Sequence, residues 1–294
     1  MTRAKATSIG FTAIVLWSLL ALFTVGSAPV PPFLLNALCF GIGGMIGLVW
    51  VWRGAGFGAL LGVGWKVYAF GTIGLFGYHF LYFSALRMAP AAEAGLIAYL
   101  WPLFIVLLSG LLPGEKLTPL HIGGALVAFA GAALIVLGGA VQLQASAAPG
   151  LALAFLCAVT WAVYSVLSRR LRAVPTETVA VFCIATAVLS LLAHLALETT
   201  LWPVGAVGWF SVVALGLGPV GLAFFTWDIG MKRGDIQLLG VASYAAPLLS
   251  TFALVLAGIA EASATLIAAA ALIAGGAALT AYASATKVTS ATGG

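Results

Sequence analysis

Tyr78, His79 and Tyr82 fall within one apolar stretch of this chain, and a Tyr-x-x-Pro element, Tyr99 to Pro102, follows in the next with Trp101 inside it. Tyr78 and Tyr82 are four apart, so on a helix they share a face with His79 beside them. Phenol and imidazole groups are costly in hydrocarbon unless satisfied, and such residues usually face a bundle interior or water. Their tips are expected to point into a common cavity with Tyr99 and Trp101. An interhelical hydrogen bond is the alternative role for His79. Trp17, Trp161, Tyr164 and Tyr244 complete the candidate binding set. An indole stacks on an aromatic ligand for about 0.5–1.5 kcal/mol and faces a desolvated ammonium for roughly 2 kcal/mol.

The groups that are missing narrow the chemistry further. An intramembrane enzyme needs paired aspartates, a His-Glu-x-x-His helix or an activated serine, and none is present. No cysteine or histidine spacing suggests a metal site, and no cofactor motif is found. Cys39, Cys157 and Cys183 lie in apolar stretches and read as small packing residues. Lys and Arg are absent from the middle of every apolar stretch, so a cavity here has no cation to meet a phosphate, which argues against nucleotide-sugar or sugar-phosphate substrates.

Positioning these side chains requires a membrane. With 63% apolar and 6% charged residues, a water-soluble fold could not cover its surface. A hydrocarbon core about 30 Å thick takes roughly 20 apolar residues per helix. Stretches 9–26, 33–52, 67–86, 93–112, 120–138, 151–168, 178–197, 209–230, 236–257 and 264–284 meet that length, which predicts an all-α protein of ten transmembrane helices with no soluble domain.

With the N-terminus inside, eleven of the twelve Lys and Arg residues fall on the cytoplasmic side and only Arg87 faces outward. That asymmetry predicts cytoplasmic N- and C-termini. The net charge of +5 is scattered among loops and builds no nucleic-acid surface. Residues 1–28 mimic a signal peptide, with Arg3 and Lys5 before an apolar run and Gly26, Ser27 and Ala28 after it. A retained first helix is favoured, because cleavage would remove the repeat partner of a later span. Asp228 lies four residues before Lys232 near a helix end, and His194 four before Glu198, so both are expected to form interfacial pairs. Trp50, Trp52, Trp65, Trp202 and Trp209 fit an interfacial belt.

Shifting the chain against itself by 144 to 146 positions matches Trp17 with Trp161, Cys39 with Cys183, Gly71 with Gly216, Tyr99 with Tyr244, Pro102 with Pro247 and Glu115 with Glu261. Each half, 1–140 and 141–294, then holds five spans, an odd number, so the second half is expected to enter the membrane inverted. Inverted repeats allow a site between them to open to one side and then the other. Pro102 and Pro247 cannot donate to the carbonyls of Ala98 and Ser243, which predicts matching kinks in the fourth and ninth helices. Gly71, Gly74 and Gly77 in the third helix match Gly216, Gly218 and Gly221, with Pro219, in the eighth. Hinge action and close helix packing both need that missing side chain, and the sequence leaves the two open.

Ten helices in two inverted halves, a Trp in the first helix of each half and a Tyr-x-x-Pro element in the fourth of each resemble the drug/metabolite transporter superfamily, of the EamA type. Within it, Gly77 to Leu86 followed by Ala98 to Leu103 is similar to the aromatic amino acid exporters. The resemblance implies a bacterial inner-membrane carrier that exports aromatic and other neutral amino acids by alternating access and works as a monomer. The alternatives are a related exporter of nucleosides or cationic compounds, a channel, or an intramembrane enzyme. Facilitated diffusion is the simplest energetics without a mid-membrane carboxylate, with His79 the leading candidate if protons take part.

Overall fold

A computed structural model describes residues 1–137, 145–256 and 263–292; Glu261 and residues 138–144, between the fifth and sixth spans, lie outside them. Ten helices are long and apolar enough to cross a membrane: α1 (Arg3–Gly26), α2 (Pro32–Arg53), α3 (Trp65–Met88), α4 (Ala91–Ser109), α5 (Pro119–Leu137), α6 (Ala148–Leu171), α7 (Thr176–Leu197), α8 (Gly205–Arg233), α9 (Ile236–Ala253) and α10 (Ala264–Thr286). Leu195, Val207 and Ile267 are among many large apolar side chains on the outside, as lipid requires. All five tryptophans assigned to the interface are exposed, and the three cysteines are buried.

The helix ends explain why α1 starts earlier than hydropathy alone suggests. Thr2 caps it by accepting the Lys5 N–H, so the polar first turn is helical too. Pro32 and Pro119 each open a helix, where a missing N–H costs nothing. The start of α2 has no cap of its own. Glu198, at the end of α7, supplies one by accepting the N–H groups of Phe33 at 3.1 Å and Leu34 at 3.3 Å, and its charge suits the positive end of the helix dipole.

Helices pack in a pattern that maps onto itself when each is exchanged for the one five places along. α2 packs on α7, α5 on α10 and α4 on α9; α1 packs on α8 and α9 as α6 packs on α3 and α4. Three helix contacts, α2–α8, α1–α8 and α5–α10, bring glycine against glycine. A Cβ built on Gly43 in α2 would lie 2.7 Å from Gly221 Cα in α8, and one on Gly230 would lie 2.7 Å from Gly10 Cα in α1. Gly124 and Gly276 meet in the same way between α5 and α10. Lipid offers no hydrophobic drive for helix association, so backbone proximity of this kind supplies the dispersion contacts instead.

Five helices are interrupted. α1 divides into Arg3–Ser18 and Leu20–Gly26. α4 ends a first segment at Ala98 and resumes at Trp101 with Pro102 in its first turn, and α9 ends one at Ala242 and resumes at Ala245. α3 and α8 each contain a π-helical turn, Ile73–Gly77 and Gly218–Leu222, at positions related by the repeat. The break in α1 and the two π-turns have no counterpart in the hydropathy pattern.

Replacing Gly43 with Val forces α2 away from the α8 backbone and is expected to destabilise the bundle by about 1–3 kcal/mol. Gly41→Val, two residues away where a Cβ meets nothing within 4 Å, is the control. Thermal unfolding in detergent checks the pair: Gly43→Val lowers the midpoint and Gly41→Val leaves it near wild type.

Candidate functional site

The interruptions in α1, α3, α4 and α8 all abut one aromatic cluster. Trp17 sits two residues before the break in α1, Trp101 opens the second segment of α4, and Trp161 is mid-way along uninterrupted α6. Tyr78, His79 and Tyr82 follow the π-turn of α3, and Phe224 and Trp227 follow that of α8. Trp17 lies 5.0 Å from Trp227, 5.9 Å from Trp161 and 6.2 Å from Trp101 between ring centroids. Trp101 meets Trp161 edge-on at 6.3 Å, and Trp161 stacks on Trp227 at 6.3 Å. Four indoles from four helices thus close on one another in the edge-to-face and offset geometries that ring quadrupoles favour.

The tyrosines extend this cluster. Tyr78 lies 5.3 Å from Trp161 and stacks on Tyr82 at 6.2 Å. Tyr99, at the break of α4 two residues before Trp101, is the third phenol. None of these three hydroxyls has a hydrogen-bond partner among the described residues, and all three rings are only half-buried although their neighbours are interior. That partial exposure leaves them available to water or to a ligand.

His79 adds one directed polar atom. Its Nδ1 lies 2.7 Å from the carbonyl oxygen of Leu75, inside the π-turn. A carbonyl only accepts, so Nδ1 carries the hydrogen and the Nε2 of the neutral ring is left as an acceptor. Phe40 at 5.0 Å and Phe224 at 6.1 Å hold the ring edge-on.

The remaining predicted residues divide between packing and structure. Tyr164 is buried behind Trp161, 5.2 Å away, over Gly74. Gly71 lies under the Phe182 ring, Gly216 under Ile42, and Gly221 against Gly43, so these glycines allow close approach. Gly77 and Gly218 have room for a Cβ. Pro102 sits in the first turn of the segment that resumes α4, Pro219 within the π-turn of α8, and Pro247 three residues into the resumed α9. Tyr244 is the exception to the expected lining: it is fully buried, packs on Phe129 in a separate cluster, and its hydroxyl accepts the Leu103 N–H at 3.1 Å.

Phe224 and Trp227 were not foreseen, yet the repeat names them: they are the counterparts of His79 and Tyr82 at the same offset of 145. Two pairs of counterparts touch, Trp17 with Trp161 and His79 with Phe224.

Among the described residues, the paired charged groups lie at the two ends. At one, Glu115 pairs with Arg169 and Arg3, and Arg3 with Asp235 at 3.2 Å. Arg169 also donates to the carbonyls of Met231 and Gly234. Asp228 pairs with Lys232 at 2.8 Å, as its spacing suggested, but the pair is buried rather than exposed at an interface. The α6–α7 connection folds over it: Thr176 donates to Asp228 at 2.7 Å, and Val174 accepts from Lys232. At the other end, Glu198 binds Arg87 and His194, and His194 contacts Thr200. His121 is buried against Thr118 and Ser284. No cluster of three metal-binding side chains occurs among the described residues. A shallow groove along α2 is lined by apolar residues from Ala37 to Val49.

The model of the EamA-like transporter family matches this chain twice, over residues 5–137 and 148–282. The chain is 58% identical over 270 residues to the aromatic amino acid exporter YddG of Ancylobacter novellus, across 90% of this chain and 93% of that one. Proteins of the same name from Salmonella typhimurium and Escherichia coli are 28% identical, each across 85% of this chain and 88% of theirs. A crystal structure 57% identical in sequence superposes with a TM-score of 0.91, covering 95% of this chain and 98% of that one. Ten membrane-spanning helices, the twofold match and the agreement in both sequence and fold make this chain a member of the EamA-like transporter family.

Proposed function

We propose that this protein exports aromatic and other neutral amino acids across the bacterial inner membrane, as a monomer, by alternating access between two inverted five-helix halves, 1–140 and 141–294. The observation that carries the reading is a charge-free cluster of four indoles and three unpartnered phenols, built where counterparts from the two halves touch. Equivalent residues meet only near the axis that relates their repeats, which is where an alternating site belongs. The aromatic amino acid exporter of Ancylobacter novellus, 58% identical, supports the substrate class.

The recognition follows from the groups present. Trp17, Trp101, Trp161 and Tyr78 offer ring faces and edges for an aromatic side chain and for the ammonium. The hydroxyls of Tyr78, Tyr82 and Tyr99 donate to the carboxylate, and His79 Nε2 accepts from the ammonium. A hydrogen bond to a charged group contributes about 1.5–3 kcal/mol, enough to hold a zwitterion briefly without the cation a phosphate would demand. The ring of charges at each end keeps fixed charge out of the centre, and the eleven-to-one distribution of basic residues supports cytoplasmic termini.

Purified protein in liposomes is expected to pass labelled phenylalanine and tryptophan, with competition by aromatic and neutral amino acids but not by nucleosides or cationic dyes. Flux equal to that of empty vesicles, or competition by the other classes alone, would remove the substrate assignment. Trp101→Ala and Tyr99→Ala are expected to raise KM by roughly two- to tenfold, the range one aromatic contact sets, with normal yield on gel filtration; unchanged kinetics in both would take these residues out of the site. With no carboxylate in the cluster, transport is passive. An imposed pH gradient should leave the final distribution of labelled phenylalanine unchanged, and accumulation against its own gradient would refute the passive mechanism.

A further inference from the structure

Leu103 lies four residues after Tyr99, so in an unbroken helix its N–H would donate to the Tyr99 carbonyl. The interruption of α4 at Tyr99 and Leu100 takes that acceptor away, and Tyr244, 141 residues distant in the chain, accepts the N–H instead at 3.1 Å. Tyr244 itself stands in the interruption of α9, between Ala242 and Ala245, and is fully buried. The residue holding the break in one half is thus the break residue of the other. Gly240 lets the two helices approach here, since a Cβ on it would lie 3.2 Å from Ile105 and Val106 side chains.

The mirror contact is absent. In the repeat, Tyr99 corresponds to Tyr244 and Leu103 to Leu248, yet the Tyr99 hydroxyl has no hydrogen-bond partner among the described residues. Leu248 lies within the resumed helix, which starts at Ala245, one place sooner in the repeat than Trp101 does in α4. Two elements of matching sequence therefore adopt two arrangements in one molecule.

We infer that Tyr244 is a positioning residue whose hydroxyl latches the α4 break in the conformation described, and that Tyr99 takes its place on Leu248 when the transporter faces the other side. This rests on the alternating-access reading above, because exchange of conformations between inverted halves exchanges every contact that distinguishes them. On exchange, the free phenol facing the cluster passes from Tyr99 to Tyr244. The latch is worth little in total but acts differentially: a bond made in one state and lost in the other biases their ratio by roughly two- to tenfold.

Spin-label pairs across the end carrying Arg3 and Asp235, and across the end carrying Arg87 and Glu198, report the two openings in full-length protein. Tyr244→Phe keeps the ring and should shift the population two- to tenfold away from the wild-type distribution. Tyr99→Phe should shift it the opposite way, and the double variant should return close to wild type. Shifts of the same sign, or none, overturn the latch. Amide exchange in the wild type supplies a second measurement should a variant fail to fold: substrate that drives turnover should raise exchange at Leu103 and lower it at Leu248, and unchanged protection at both also overturns it. If wild-type distances at the two ends never move in opposition, the alternating-access reading itself fails. If they do while the tyrosine variants leave them unaltered, only the latch fails.

Discussion

Inside hydrocarbon, every backbone N–H and C=O must find a partner within the protein, and the architecture follows from where that demand is relaxed. Helices α2, α5, α7 and α10 run through their membrane spans without a break and pair with one another, α2 on α7 and α5 on α10. Every interruption falls instead on α1, α3, α4, α8 or α9, and four of these helices carry the aromatic cluster. A broken helix facing lipid would leave polar groups stranded. One facing the interior can hand them to side chains, as Leu75 hands its carbonyl to His79 and Leu103 its N–H to Tyr244. The unbroken pairs α2–α7 and α5–α10 form a frame, and the aromatic cluster sits on the broken α1, α3, α4 and α8 together with unbroken α6.

The same constraint sorts the charges. A Lys or Arg at the helix centre costs about 2.5–3.5 kcal/mol on insertion scales, and here charged residues gather at the ends, where they tie helices of different halves together. Arg169 of the second half reaches Glu115 of the first, and Arg87 of the first reaches Glu198 of the second. The Arg169–Glu115 pair is buried, and such a pair adds little net stability against apolar replacements, yet removing one partner strands the other. Their value lies in fixing which helix ends meet.

Much of this was legible in the sequence because it rests on signals that single residues carry. A span declares itself by length and apolarity, and a proline inside a span announces a broken hydrogen bond, so ten helices and matched kinks in the fourth and ninth could be read directly. Trp17, Trp101 and Trp161 stood out as tryptophans far from any interface. What failed to show was whatever depends on a neighbour from a distant part of the chain. Asp228 looked interfacial because its position along α8 is visible, whereas the α6–α7 connection that buries it is not. Phe224 and Trp227 looked like ordinary apolar residues until aligned with His79 and Tyr82. The glycines of α3 and α8 had two readings, and contacts supply one of them: Gly71 and Gly74 lie under the rings of Phe182 and Tyr164.

Features shared by the halves and features that differ between them answer separate questions. The π-turns Ile73–Gly77 and Gly218–Leu222 occur in both, so they belong to the repeat itself and not to one state of it. A π-turn widens the helix by one residue per turn and re-aims the side chains that follow, which is why His79 and Tyr82 in one half and Phe224 and Trp227 in the other all turn toward the same centre. The differences lie elsewhere: α1 breaks after Trp17 while α6 passes Trp161 without interruption, and Tyr244 is engaged while its counterpart is free. If the halves were locked as a static duplication, such differences would be fixed features of two diverged units. Under the alternating access proposed above, such differences are the coordinates along which two states would differ, which singles out the break in α1 and the two tyrosines and sets the shared π-turns apart from them.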